Sequence, residues 1–189
     1  MQLHVSNILT PDGTYLHYYC SIYLAASAGQ DPVSYSMIKF KQSIEPDQTE
    51  WINAALTAIA ETNPARLPEP DIIVRALHHD ETSAPAAPDT TPLDRLGTAL
   101  AKTLQAVYLP QLIHKHAPTI PLRGLKRPDR EEQTRLSYQA AIPPNLLNVR
   151  ILLIDDILTT GSTAAAILHT LSKAGADPIG IFTLAKALP

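Results

Sequence analysis

Two adjacent carboxylates are followed closely by a run of hydroxyl and glycine residues near the end of the chain. Asp155 and Asp156 come directly after the apolar stretch 151–154, and the segment 159–163 (TTGST) begins after two intervening residues. Two like charges this close repel each other, so their placement indicates that a cation or a hydroxyl-rich ligand meets them. A helix start with free N–H groups and a glycine that lets the chain curl is typical of an anion cradle. A ribose 5-phosphate, with vicinal hydroxyls and a phosphate, fits this order.

This stretch has three other interpretations. No lysine follows Gly161, so the segment is not a Walker A loop. A response-regulator receiver domain places its acidic pair on the first strand, whereas too little chain follows Asp156 to supply the remaining strands. The third interpretation is a solvated strand end with a capped helix, which needs only one capping residue and not a run of five hydroxyl or glycine residues.

A parallel sheet is the architecture that would position these residues. From residue 47 onward the pattern runs helix, strand, helix, strand, strand, helix, strand, with strands at 71–77, 111–114, 149–154 and 179–184. This alternation predicts an α/β fold, with a parallel sheet flanked by helices on both faces. Ligands of such sheets bind beyond the carboxyl ends of the strands, which is where Asp155 and Asp156 are expected.

The first part of the chain has a different pattern. Residues 2–9 and 33–40 alternate between apolar and polar positions, residues 15–25 are rich in aromatic and β-branched residues, and turn signals separate the three stretches. They predict an antiparallel β meander. We therefore expect an N-terminal β extension over residues 1–45 and an α/β domain over residues 46–189.

Composition excludes several classes of protein. The chain has 189 residues, of which 45% are hydrophobic, with a net charge of −3 and one cysteine, Cys20. The acidic balance argues against direct nucleic-acid binding, and one cysteine excludes a disulfide framework or a cysteine zinc site. No apolar run is long enough to span a membrane, and the N-terminus lacks a signal-peptide pattern. The expectation is a cytoplasmic protein.

Several motifs resemble one known family. ILLIDDILTTGST (151–163) resembles the phosphoribosyl-pyrophosphate signature of the type I phosphoribosyltransferases. The stretches MIKFKQ (37–42), DIIVRAL (71–77) and TLAKAL (183–188) are similar to the ComF-like branch of that family. The chain departs from the branch in lacking the N-terminal cysteine zinc knuckle, and LDRLG (93–97) stands where the branch has an arginine-glycine-phenylalanine-asparagine-glutamine stretch.

The resemblance implies a role for each matched residue. Asp155 and Asp156 would hold the ribose 2- and 3-hydroxyls, and a phosphate loop would bind the 5-phosphate. Arg75 and Ala76 would lie in the pyrophosphate loop, where a guanidinium can bind the leaving group bidentately. The predicted phosphate loop comprises Thr159, Thr160, Gly161, Ser162 and Thr163.

A mobile catalytic loop is also implied. Arg123, Lys126, Arg127 and Arg130 lie between the second and third core strands, where the family has such a loop. We expect Lys126 and Arg127 to act in catalysis together with the two aspartates. Closing the loop would exclude water from the reacting centre.

The resemblance implies Mg²⁺ as a cofactor that arrives with the diphosphate. Mg²⁺ keeps substrate oxygens and waters as ligands, so no direct protein ligand is expected. His78, His79, Asp80 and Glu81 could suggest a metal site, but neighbours on an extended segment point to opposite sides. The sequence interpretation therefore places no protein-held metal here.

The expected function is a phosphoribosyltransferase. It would use phosphoribosyl pyrophosphate as the small-molecule donor to an unknown acceptor, a nitrogenous base, and release pyrophosphate. Thr159 stands where purine-salvage members carry a carboxylate, which disfavours 6-oxopurine acceptors. The alternatives are a catalytically silent regulator that binds the donor or a nucleotide, and a ComF-like accessory protein. No membrane or nucleic-acid partner is expected, and a homodimer is an option.

Overall fold

The structure, a computed structural model, describes residues 1–10, 13–25, 29–84, 91–116, 137–140 and 147–188. The helices are α1 (Pro32–Lys41), α2 (Asp47–Ala60), α3 (Pro92–Thr103) and α4 (Ser162–Lys173). The strands are β1 (His4–Thr10), β2 (Gly13–Tyr23), β3 (Ile72–Arg75), β4 (Val107–Tyr108), β5 (Ile113–Lys115), β6 (Tyr138–Ala140), β7 (Arg150–Leu158) and β8 (Asp177–Ala187).

The main sheet has six strands in the order β1-β2-β8-β7-β3-β4. All neighbouring strands in it are parallel except the antiparallel pair β1 and β2. Strands β5 and β6 form a separate antiparallel pair. The predicted fold class, a mostly parallel sheet flanked by helices with an antiparallel N-terminal element, is confirmed.

Two apolar cores lie on the two faces of the sheet. Alternate residues of β7 point to opposite faces, so Leu152 and Ile154 join one core while Ile151 and Leu153 join the other. Helices α1, α2 and α3 cover the first face, whereas α4 and strand β5 cover the second. The central strands are buried on both sides, which explains their almost continuous apolar sequence.

The prediction of a third strand at residues 33–40 of the N-terminal meander is wrong, because residues 32–41 form helix α1. Asp31 caps this helix by accepting a hydrogen bond from the Ser34 N–H, and Pro32 occupies its first turn. Its buried residues, Ser34, Met37 and Phe40, recur every third position, which is helical spacing. The start of this helix is marked in the sequence by Asp31 and Pro32, whereas the alternation of residues 33–40 led to the wrong prediction of a strand.

Two further details differ from the sequence predictions. The predicted core strand at 111–114 is replaced by the shorter β4 at Val107–Tyr108, which pairs with β3, while β5 lies outside the main sheet. Strand β7 continues through both aspartates to Leu158 and does not end at Ile154. Among the described residues, none of the helices combines the length and the apolar character needed to cross a bilayer.

Candidate active site

A crevice opens where β3 ends beside β7. Strand β3 stops at Arg75, whose neighbour across the pair is Ile154, whereas β7 and β8 remain paired as far as Leu158 and Lys186. The chain leaves β3 through α3 toward one edge of the sheet and leaves β7 through α4 toward the other. Such a switch point is where open α/β sheets bind their ligands. The residues that follow Ile154 therefore line the crevice.

The two aspartates have different neighbours although they are adjacent. Asp156 accepts a hydrogen bond from the Lys41 ammonium at 3.2 Å and another from the Ile157 N–H at 2.6 Å. Asp155 accepts from the Asp156 N–H at 2.8 Å. Lys41 comes from α1, so the N-terminal part of the chain contributes a cation to the site. Sequence reasoning gave Lys41 no role, because 115 positions of the sequence separate it from Asp156.

The electrostatics of this group are coupled. Burial, followed by repulsion from Asp156, raises the pKa of Asp155 to about 7. Burial disfavours the charged form of Lys41, but the hydrogen bond and charge of Asp156 outweigh it and raise the pKa of Lys41. Asp155 can thus hold or release a proton near neutral pH, while Lys41 stays charged.

The predicted phosphate loop begins helix α4. Gly161 has φ +77°, and a β-carbon there would lie 2.9 Å from Ile8 Cδ1, so the position requires glycine. No side chain caps this helix, and the N–H groups of a first helical turn have no partner within the helix. The hydroxyls of Thr160 and Ser162 hydrogen bond to each other at 3.0 Å. The loop therefore has the backbone geometry of an anion site.

Arg75 is held within the protein. Its side chain is 2% exposed, and its Nε donates to Asp94 at 2.7 Å while its two terminal nitrogens donate to Glu81 at 2.7 and 2.8 Å. One of those nitrogens also donates to the Ala76 carbonyl oxygen. Burial opposes the charge, but the two carboxylates raise the pKa of Arg75. The pyrophosphate role of Arg75 and Ala76 stays a prediction, and the geometry gives Arg75 a positioning role as well.

The segment after Arg75 folds into a turn at 78–81, which the Glu81 N–H closes by donating to the His78 carbonyl oxygen at 3.1 Å. Lys115 of β5 is 5% exposed and donates to the carbonyl oxygens of Leu77 and His78. Burial lowers the pKa of Lys115 to about 8. Sequence reasoning gave no role to Lys115, since a single lysine in a short strand carries no local signal.

One pocket of about 430 Å³ connects these parts. Of the predicted site residues, six line it and three of the phosphate loop (Thr160, Gly161 and Ser162) lie beside the lining residues Thr159 and Thr163. Lys126 and Arg127, predicted as catalytic, lie outside the described residues. The predicted residues in the lining are Arg75, Ala76, Asp155, Asp156, Thr159 and Thr163, and the additional ones include Tyr23, Phe40, Lys41, His78 and Glu81.

Sequence comparison finds a curated protein that is similar to half of this chain. The chain is 32% identical over 95 residues to competence protein F of Haemophilus influenzae. The match covers 50% of this chain and 42% of that protein, so the chain spans less than half the length of the curated relative it matches. No family model matches the sequence. The predicted resemblance to ComF-like proteins is confirmed.

Structural comparison finds phosphoribosyltransferases at low sequence identity. Adenine phosphoribosyltransferase from Trypanosoma brucei, solved with AMP, pyrophosphate and ribose-5-phosphate, has a TM-score of 0.48 and 11% identity, and the match covers 99% of this chain and 87% of that one. Orotate phosphoribosyltransferase from Aeropyrum pernix has a TM-score of 0.40 and 15% identity, over 97% of this chain and 75% of that one. Adenine phosphoribosyltransferase from Leishmania tarentolae has a TM-score of 0.41 and 14% identity, over 79% and 74%.

Proposed function

We propose that the protein is a phosphoribosyltransferase that uses phosphoribosyl pyrophosphate as its donor. The observation that carries the proposal is the arrangement at the end of β7. Asp155 and Asp156 line the pocket, and Gly161, the N-cap of α4, has no side chain to cap the helix, while the Ser162 N–H lies 3.4 Å from the Thr160 hydroxyl. Carboxylates match vicinal ribose hydroxyls, and a helix start matches a 5-phosphate.

The proposed reaction is displacement at the anomeric carbon of the ribose. The bond from that carbon to the diphosphate oxygen breaks, and a bond to a nitrogen of the acceptor forms. The ring gains positive charge in between, as in other glycosyl transfers. Asp155 and Asp156 would hold the two hydroxyls and stabilise that charge. The carboxylate oxygens of the site suit Mg²⁺, which when bound with the diphosphate would neutralise the leaving group.

The acceptor would lie against the N-terminal part of the chain. Tyr23 of β2 lines the pocket on that side and offers aromatic surface to a flat base, whereas Phe40 of α1, also in the lining, is 0% exposed and packs in the core behind it. Lys41 lies beside them and is paired with Asp156. These residues support a nitrogenous base as the acceptor class. Tyr18, in contrast, is 4% exposed and belongs to the core, so it has no such role.

A binding-only function is the second candidate, and one observation favours it. The guanidinium of Arg75, expected at the diphosphate, is occupied by Asp94 and Glu81. A protein that binds the donor as a signal needs less charge stabilisation on the leaving-group side than an enzyme does. A regulator that binds phosphoribosyl pyrophosphate or a nucleotide without turnover would have this feature.

Donor binding can be tested by thermal unfolding with and without phosphoribosyl pyrophosphate and Mg²⁺. A ligand at 100 times its dissociation constant stabilises by about 2.7 kcal/mol. For a domain of this size each kcal/mol raises Tm by roughly 2–4 °C. We expect such a rise in the wild type and its loss in Asp156→Asn. The exposed Asp177 supplies the control, since Asp177→Asn should keep the rise. An unchanged wild-type Tm would contradict the proposal.

The two candidates are separated by turnover. Release of pyrophosphate from the donor in the presence of a panel of nitrogenous bases, measured by a coupled phosphate assay, is expected for the enzyme. A Tm rise without release for any base would favour the regulator.

A further inference from the structure

Three potential metal ligands converge in the turn whose first residue, His78, lines the pocket. His78, His79 and Asp80 each offer a ligand atom, and these atoms all lie within 4.8 Å of one another. His78 Nε2 and His79 Nδ1 are 3.2 Å apart, and the other ring nitrogen of His78 contacts the Asp80 carboxylate. The prediction that these neighbours point apart assumed an extended backbone. It is wrong because residues 78–81 form a turn, which brings consecutive side chains to one side.

The turn is held in place by Glu81 and by the buried side chains of Arg75 and Lys115. Glu81, held by Arg75, accepts a hydrogen bond from the His78 N–H at 2.6 Å. Lys115 donates to the carbonyl oxygens of Leu77 and His78. The backbone that carries the three ligands is therefore tied to β3 and β5, while their side chains stay accessible, with exposed fractions of 59% for His78 and 70% for Asp80. Ligands on a fixed backbone lose less entropy when they bind an ion.

The described lining of the pocket carries more carboxylates than cations, which favours binding of a further cation beside it. The lining carries the carboxylates of Asp155, Asp156 and Glu81 against the side chains of Lys41 and Arg75. Both of these cations already have carboxylate partners. A diphosphate entering the described part of the pocket would thus meet cations that are already neutralised. A divalent ion beside the pocket would add positive charge to that of the Mg²⁺ proposed to arrive with the diphosphate.

We propose that His78, His79 and Asp80 bind a divalent transition-metal ion. A site with two imidazole nitrogens and one carboxylate oxygen suits transition-metal ions better than it suits Mg²⁺, which prefers oxygen ligands. Three protein ligands leave coordination positions open for oxygens of a bound anion. His78 lines the pocket, so an ion bound to its side chain would lie beside the pocket. The ion binds without any nucleotide, and its further role, to hold the diphosphate, rests on the proposed function.

The binding is tested by calorimetric titration of the full chain with Zn²⁺ alone. We expect one ion per chain in the wild type, and affinities weakened about tenfold or more in His79→Ala and in Asp80→Asn. The matched control is His4→Ala, because His4 is also an exposed histidine but lies on β1, at the opposite edge of the sheet from β3 and β4. Titration with Co²⁺, followed by its visible absorption, reports directly whether nitrogen ligands bind.

Each outcome decides the proposal. Equal affinities in all variants, or no binding by the wild type, would overturn it. Circular dichroism of His79→Ala and Asp80→Asn checks that they remain folded, and both side chains are exposed. The proposed function is tested separately by the Tm rise with phosphoribosyl pyrophosphate and Mg²⁺. Zn²⁺ binding without that rise would support the metal site and contradict phosphoribosyl pyrophosphate as the donor. The rise in Tm without Zn²⁺ binding would support the donor and overturn the metal site.

Discussion

The two aspartates show how much a single position depends on its surroundings. Asp156 has the Lys41 ammonium as a partner, whereas Asp155 has the Asp156 N–H and lies close to that second negative charge. Burial and this neighbour raise the pKa of Asp155 to about 7. The ionised form of Asp155 is therefore costly, and a ligand with hydroxyl donors would relieve the cost.

Asp155→Asn is expected to stabilise the protein, most strongly above pH 7. The folded pKa of Asp155, about 7, lies above its ordinary value of 3.8, so the folded state binds more protons between these values. The destabilisation by Asp155 is absent below pH 4, grows as the pH rises, and is complete above pH 7. At pH 8 the gain should be between about 1 and 4 kcal/mol, the upper value being that of the full shift. Urea unfolding at pH 5 and pH 8 measures it.

The substitution keeps the local hydrogen bond, because an asparagine oxygen can still accept from the Asp156 N–H. Asp177→Asn, at an exposed position, should change stability equally little at both pH values. A gain for Asp155→Asn that is the same at pH 5 and pH 8 would show that the carboxyl is not titrating in this range.

The sequence predicted those site residues that lie together in one motif. Asp155, Asp156 and the loop at 159–163 are contiguous, so their local order alone indicates the chemistry. Lys41 and Lys115 could not be predicted, because each reaches the site through packing between elements distant in sequence. The convergence of His79 and Asp80 depended on a turn whose closing contacts come from Arg75, Glu81 and β5.

At the scale of elements, the turn at 78–81 is held by an ion-pair cluster. Arg75 at the end of β3 joins Glu81 of the turn to Asp94 of α3, and Tyr108 of β4 donates to the same Asp94 at 2.8 Å. Four elements thus meet at one buried guanidinium. Burial opposes the charge of Asp94, but its hydrogen bonds from Thr91, Arg75 and Tyr108 outweigh it and lower the pKa of Asp94.

Arg75→Met is expected to destabilise the protein by about 3–5 kcal/mol, because Asp94, 1% exposed, would be left as a buried carboxylate without its cation. Arg150→Met is the matched control. Arg150 also joins two carboxylates, Glu69 and Asp71, but at the surface, where ion pairs contribute little. Guanidinium chloride unfolding of both variants compares them. Similar losses in the two would mean that burial of the cluster does not matter.

The elements themselves were predicted to different degrees. A helix between the strands at 71–77 and 111–114 was predicted, and the structure shows that α3 there begins with a capping box between Thr91 and Asp94. Helix α1 was predicted as a strand, although Asp31 and Pro32 carry the same kind of start signal. The alternation of residues 33–40 outweighed it, and a helix of this length, with its few buried positions, gives a weak period.

At the scale of the whole molecule, the N-terminal part is joined to the rest through the sheet. Strand β2 pairs with β8 from Leu16 to Tyr23, and one core contains Leu3, Tyr18 and Phe40 together with residues of α2, α3 and β7. The division into residues 1–45 and 46–189 stays a prediction. The pairing implies that the described parts of both ranges unfold together.

A single cooperative transition is therefore expected in urea. Trp51 of α2 is 4% exposed in the shared core, and its Nε1 donates to Ser36 of α1 at 3.0 Å, so its fluorescence reports the junction with the N-terminal part. Far-UV circular dichroism reports the whole sheet. The two midpoints should coincide.

Gly180→Ala should lower both midpoints equally, because Gly180 has φ +154° and a β-carbon there would lie 2.5 Å from the Leu16 carbonyl oxygen, disturbing the pairing of β2 with β8. Gly29→Ala, whose β-carbon would meet nothing within 4 Å, should leave both midpoints unchanged. If residues 1–45 instead unfold on their own, Gly180→Ala will split the dichroism transition in two, and the pocket will lose Tyr23 and Lys41 before the parallel sheet unfolds.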